Sequence, residues 1–240
     1  MLNNKTSQTS SYFKNRNIAP EFYKDFIIPP YLLKILLRDL NTKVLDIGCG
    51  FGQMLSALQK LGYKKLVGIV IAEEAVSFCI DQGFKVIKIK DIIDYATSSF
   101  AEKFDFIIMS HVLEHIEKSK IIKSLAVIRE NLLAKNGQMV IMVPNAQADT
   151  GCYWAYEDFT HTTLFTAGSL YYVVKAAGFE TITLLDPDCT EGLPPIKKWV
   201  KKFLLKIFIL RKNFWHRVTS SSYHQPSRQV FSYELKVLAK

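Results

Sequence analysis

The run Val44-Leu45-Asp46-Ile47-Gly48-Cys49-Gly50-Phe51-Gly52 constrains the chain more than any other stretch. A short β-branched strand ends beside an acid, three glycines follow at alternate positions, and residues 53–61 then carry helical spacing as far as Gly62. Glycine permits tight backbone geometry and leaves amides bare at a helix N-terminus, so such a turn can bring a ligand against the main chain. A glycine cluster can also serve as a structural turn only, and the spacing differs from GxGxxG. The hydrophobic strand ending in Asp46 is the more specific part of the pattern.

The rest of the chain repeats the alternation. Strands are expected at 43–47, 65–71, 84–89, 104–109, 138–143, 179–185 and 229–238. Helices are expected after Pro29-Pro30, at 53–61, 73–81, 117–133 and 168–177, several of them closed by glycine. Strands that alternate with helices imply parallel βαβ units and a doubly wound α/β sheet. Residues 151–164 read as an aromatic loop, and the Ser-, Thr- and Asn-rich first 17 residues read as a mobile tail. The expected organisation is a tail and helix over 1–40 and one domain over 41–240, with 187–227 an insertion before the last strand.

Charge is distributed unevenly. Of the formal +9, residues 192–240 carry eleven basic side chains and one acid, so the preceding 191 residues are close to neutral. An anionic partner for one segment follows, or simply a solvated face. The four cysteines are widely spaced and form no CxxC pair, and no signal-peptide pattern precedes them, which fits a reducing cytoplasm. Lys34 and Lys206 interrupt the two longest apolar runs, so no spanning helix is expected.

The segment from Asp46 to Gly52 resembles the first motif of class I S-adenosylmethionine-dependent methyltransferases. Phe104-Asp105-Phe106-Ile107-Ile108-Met109-Ser110-His111-Val112-Leu113-Glu114-His115 is similar to that family's fourth strand and following loop, and Leu133-Ala134-Lys135-Asn136-Gly137-Gln138 to its entry into the fifth. The resemblance implies a seven-stranded, mostly parallel Rossmann-like sheet with helices on both faces. It implies S-adenosylmethionine across the carboxyl ends of the strands, with S-adenosylhomocysteine as product. Asp46 would lie at the cofactor's amino acid end beside Gly48, Cys49, Gly50 and Gly52, with Ser110 and His111 close by. Asp91 would accept from the adenine amino group and Ile92 would offer backbone; Asp91 also reads as a helix N-cap. One departure stands out. Where the family places an acid for the ribose hydroxyls, this chain has Val70 followed by Ile71, and a lost charged hydrogen bond of ~1.5–3 kcal/mol is one to two decades of affinity. Glu73 or Glu74 could substitute, or serve only as first-turn acids of the next helix.

Asp158-Phe159-Thr160-His161 with Phe165-Thr166 resembles a segment of methyltransferases associated with bacterial surface-glycan synthesis and of quinone-type relatives. His161 as a base suits O-methylation, with His115 as a substrate contact; both histidines could instead be structural. Tyr153, Trp154 and Tyr156 could line a sugar or ring pocket or bury a loop. Glu114, His115, Asp158 and His161 could meet in space, but their spacing fixes no metal geometry, so no metal is expected. The expected activity is methylation of a hydroxyl on a glycan or lipid-linked sugar intermediate. The alternatives are a small aromatic, quinone or RNA acceptor, or a non-catalytic cofactor-binding protein.

Within 196–208 the apolar residues fall at 196, 199, 200, 203, 204, 207 and 208 with lysines between them, an amphipathic helix. Trp and Phe on one face with Lys on the other suit an anionic bilayer, contacted through 196–217 from the cytoplasmic side. The stripe could equally lie on the protein's own sheet. Nucleic acid is the less favoured partner, and the oligomeric state is left open.

Overall fold

The computed structural model describes residues 12–224 and 227–240. In chain order its elements are α1 (Tyr12–Asn15), a 3-10 turn (Pro20–Tyr23), α2 (Pro30–Ile35), β1 (Lys43–Ile47), α3 (Gln53–Lys60), β2 (Lys65–Val70), α4 (Glu73–Asp81), β3 (Val86–Lys88) and α5 (Ile92–Ala96). There follow β4 (Phe104–Ser110), a 3-10 turn (Leu113–His115), α6 (Ile121–Val127), β5 (Leu133–Pro144), α7 (Gly151–Glu157), α8 (Ala167–Ala176), β6 (Ile182–Leu184), α9 (Pro195–Val218) and β7 (Glu234–Ala239).

The seven strands form one sheet in the order β3-β2-β1-β4-β5-β7-β6. All are parallel except β7, which runs antiparallel to both β5 and β6. Period-two alternation supplies a core on each face: Leu45, Ile47, Ile107, Met109, Met139 and Ile141 point one way, Val44, Phe106, Ile108, Val140 and Met142 the other. Each such buried side chain is worth ~1.5–3 kcal/mol, so the central strands carry most of the stability. The strand order turns back at β1 and β4, which puts the carboxyl ends of those two strands at the crevice where open sheets take ligands.

Several expected elements are corrected. The helix over 117–133 is a turn, the short α6 and a wider π turn (Ile128–Leu132), because Leu133 already pairs with Phe104. Strand β5 therefore starts five residues before the expected 138, and a bulge takes up 134–137; a Cβ on Gly137 would lie 3.0 Å from the Phe104 carbonyl oxygen. The strands expected at 84–89, 179–185 and 229–238 are shorter or shifted. The loop expected over 151–164 contains α7. The tail expected to be mobile lies partly outside the described residues, but its part from Tyr12 is a helix held by tertiary contacts.

Between β6 and β7 stands the 24-residue α9. No helix among the described residues is long and apolar enough to cross a membrane.

Candidate active site

The glycine turn joins β1 to α3 with Gly48, Gly50 and Gly52 all at positive φ (75°, 52° and 78°). A side chain at Gly48 would force a neighbour to move: a Cβ there would lie 2.2 Å from Val112 Cγ2, in the loop after β4. Its amide and that of Cys49 donate to the Ile69 carbonyl (2.8 and 3.2 Å), which ties the turn to β2. The Cys49 side chain is buried against β2, where it stands under Gly68, so it faces the core and leaves only its backbone to a ligand.

Asp46 is 3% exposed, and its carboxylate has no hydrogen-bond partner among the described residues. Burial pushes its carboxyl up to about 7. An unpartnered acid at a strand's carboxyl end is built to receive a cation.

Val70 closes β2 inside an apolar cluster with Cys49, Phe51, Ala75 and Cys79, while the following Ile71 is half exposed. Neither glutamate stands in for the missing acid. Glu73 pairs with Lys88, and Glu74 Oε1 accepts from the backbone amides of Phe13 (3.1 Å) and Lys14 (3.3 Å). Those bonds clip α1 over the glycine turn, where the Phe13 ring meets Phe51 at 4.6 Å.

Asp91 is the N-cap of α5: its Oδ1 accepts from the Ile93 amide at 2.7 Å, and Ile92 behind it is buried. The other oxygen has no partner among the described residues, and Asp91 lines an open depression of about 420 Å³ at the β3 edge, walled by Ile89, Tyr95 and Phe100. The two readings of Asp91 are therefore compatible.

At the end of β4, Ser110 is half-buried and His111 takes a left-handed turn (φ 53°). The His111 ring stands between Glu234 (Nε2 to Oε1, 2.8 Å) and Glu114 (Nδ1 to Oε1, 3.3 Å). Burial opposes its charge, but the two carboxylates prevail and push it up to about 10, so it is a cation that braces β4 against β7. Its side chain is spent on this brace.

His115 and His161, 46 positions apart, meet with ring centroids 4.7 Å apart. His161 Nδ1 donates to the Trp154 carbonyl (2.6 Å), and Nε2 lies 3.7 Å from Asp158 Oδ2 and 3.9 Å from Glu114 Oε1. Thr160 spends its hydroxyl proton on Asp158 Oδ1 (2.6 Å), so its oxygen accepts from His115 Nδ1 (2.8 Å), and His115 presents Nε2 outward. Burial keeps His115 below its ordinary value despite the nearby Glu114 and Asp158, hence neutral at pH 7. Glu114 is fully buried, and neither oxygen has a hydrogen bond among the described residues. Glu114, His115 and His161 each place one potential ligand atom within 4.8 Å of the others, a grouping that spacing in the sequence did not fix.

Asp158 is the hub of this cluster. Burial opposes its charge, yet bonds from Thr160 and from the Tyr12 hydroxyl (2.6 Å) hold its carboxyl down at about 2, with Arg16 adding a third (2.7 Å). Helix α1 thus spans the crevice, with Phe13 over the glycine turn and Tyr12 on the histidine cluster. Sequence reasoning missed Tyr12, Arg16, Thr160 and Glu234. Only Glu234, an acid on an inward position of an apolar strand, left a readable signal. Tyr153 and Tyr156 on α7, with Phe159 after it, form an exposed aromatic rim, whereas Trp154 is half-buried.

A family model described as a methyltransferase domain matches residues 16–184. No curated protein sequence matches the chain. Among solved structures, the chain is similar to a SAM-dependent methyltransferase from Archaeoglobus fulgidus, with a TM-score of 0.63 at 18% identity over 95% of this chain and 97% of that one. It is also similar to the plantazolicin methyltransferase BpumL in complex with SAH (TM-score 0.57, 19% identity, 100% and 91% covered). A third likeness is to a SAM-dependent methyltransferase, possibly a histamine N-methyltransferase, from Thermotoga maritima (TM-score 0.56, 14% identity, 97% and 94% covered). These likenesses establish the fold. The family match spans more than two thirds of the chain, and on that ground the protein belongs to the methyltransferase-domain family and is an enzyme of methyl transfer.

Proposed function

We propose that the protein transfers a methyl group from S-adenosylmethionine to a hydroxyl of a glycan or lipid-linked sugar intermediate. The observation that carries the acceptor half is the position of His161 Nε2, buried beside two carboxylates at the crevice. S-adenosylmethionine, when bound, supplies a methyl group on a positively charged sulfur. The unpartnered Asp46 fits the ammonium of its amino acid end, the turn at Gly48, Gly50 and Gly52 gives it room beside the main chain, and the second oxygen of Asp91 with Ile92 fits the base. At the ribose end the fit is poorer, since Val70 accepts no hydrogen bond.

His161 Nε2 takes the acceptor's hydroxyl proton as the oxygen attacks, and the resulting imidazolium is held by Glu114 and Asp158. Thr160 and the Trp154 carbonyl fix the orientation of both imidazoles, so no tautomer change is needed. The aromatic rim of Tyr153, Tyr156 and Phe159 suits the apolar face of a sugar ring.

A second reading is a fold that binds the cofactor and does not turn it over; the apolar surroundings of Val70 and the engagement of both Glu73 and Glu74 favour it. Mass spectrometry of glycan and lipid-linked saccharide fractions, incubated with the protein and the methyl donor, separates the two. A mass gain of one methyl on a saccharide supports the first reading. Cofactor binding with no product on any saccharide supports the second, and methylation of quinols alone overturns the acceptor class.

A further inference from the structure

The face that α9 turns outward is its apolar one. Ile196, Trp199, Phe203, Ile207, Leu210 and Phe214, spaced by three and four, make one stripe along the helix and are each 49–79% exposed. No residue of α9 is buried. The opposite face holds the helix to the body through the half-buried Leu205, Phe208 and Ile209, with Phe208 on Phe231 at 5.4 Å. Two lysines add tethers, Lys201 to the Cys189 carbonyl (2.6 Å) and Lys212 to Asp149 (2.8 Å). The expectation that this stripe could lie on the protein's own sheet is thereby overturned.

Eight basic residues and no acid lie between Pro195 and Val218. A stripe about 27 Å long flanked by cations has one occupant that satisfies both properties. We infer that α9 is a membrane-docking helix that lies flat on an anionic bilayer, with the apolar stripe in the acyl boundary and the lysines and arginines at the lipid headgroups. A second copy meeting this face would set the six untethered cations of the helix against six others with no acid of either helix between them. Nucleic acid would reward the flanking cations and leave six large apolar side chains against water. The tether from Lys212 to Asp149, just before α7, places the docked helix on the loop that carries the acceptor cluster. The inference does not depend on the methyl-transfer reading, because its test reads lipid binding alone.

The test is co-sedimentation of the full chain with vesicles of phosphatidylcholine alone and with 30% phosphatidylglycerol. Binding is expected only with the anionic lipid, weakening as salt rises. Replacing Lys197, Lys198, Lys202 and Lys206 together with glutamine should weaken it about a hundredfold or more. The double variant Phe203→Ser/Ile207→Ser should weaken it at least tenfold while the melting temperature stays at the wild-type value, which separates insertion from folding. Equal binding to both vesicles, none to either, or unchanged binding by the serine variant would overturn the inference. So would a dimer in solution that the serine variant dissolves, or RNA binding tighter than vesicle binding at equal salt. Loss of cofactor binding with vesicle binding intact would count only against the methyl-transfer reading.

Discussion

The Tyr12 hydroxyl donates to Asp158 Oδ2 at 2.6 Å across 146 positions of sequence. The bond joins a four-residue helix to the hub of the histidine cluster, and burial together with the charge of Asp158 raises the Tyr12 phenol well above its ordinary range. Tyr12→Phe should destabilise the fold by ~1.5–3 kcal/mol, the span of a hydrogen bond to a charged group. It should also speed the exchange of bound cofactor, because α1 then loses one of its anchors. Thermal unfolding and stopped-flow displacement measure the two effects; a variant with wild-type exchange would show that the roof is held from the Phe13 end alone.

The buried Asp46 makes stability and cofactor binding depend on pH in opposite senses. Its native value is about 7 against about 4 unfolded, so the folded state retains a proton that the unfolded state has released, and stability falls as pH rises from about 4 to about 7. The ligand's ammonium wants the carboxylate, so affinity should climb through pH 7, and binding at pH 6 should release about one proton. Calorimetry in two buffers of different ionisation enthalpy reads that proton. Asp46→Asn should abolish the release and flatten the stability slope; proton release that persists in the variant would assign it elsewhere.

Val70→Asp should tighten the cofactor about tenfold or more by restoring an acceptor for the ribose hydroxyls. The same change puts a carboxylate among Cys49, Phe51 and Ala75, so the ligand-free variant should melt below wild type. Unchanged or weaker binding would mean that the site is built around valine.

His161→Ala should lower turnover ~10²–10⁴-fold and leave cofactor affinity within about twofold. The ring nitrogens that His115 and His161 bring together beside Glu114 are also those a borderline cation would take, so added zinc should inhibit and a chelator should reverse it. Turnover close to wild type in His161→Ala would reduce the residue to a loop support.

Gly48→Ala should cost ~2–4 kcal/mol, from the left-handed φ and the contact with Val112. Val112→Ala in the same chain should recover part of the loss, which urea unfolding of the single and double variants would measure.

The sheet was largely legible because alternation in β1, β4 and β5 is strict and each face must find a core. The start of β5 was not, since Ala134-Lys135-Asn136-Gly137 looks like a turn and only pairing with Phe104 makes Leu133 part of the strand. Helix α1 has no propensity signal of its own; Glu74, Phe51 and Asp158 hold it, all distant in sequence. His161 could be singled out by its segment, but its tautomer depends on the Trp154 carbonyl and its neighbours on Glu114, 47 positions earlier. Periodicity revealed the stripe on α9 but not its direction, because Leu205, Phe208 and Ile209 supply enough apolar surface for the opposite side to dock.

Strand β7 comes after β6 in the chain yet lies between β5 and β6. Strand β6 therefore has no ladder to join until residues 234–239 arrive, some 95 positions after the β5 residues they pair with. During synthesis α9 emerges while the edge of β5 is still open and while Glu234, the second carboxylate of the His111 brace, is still missing. Until that segment is made, the β5 edge has no β7 to pair with. Such an open strand edge invites pairing with other chains, so the slow, aggregation-exposed phase of folding belongs to the arrival of β7.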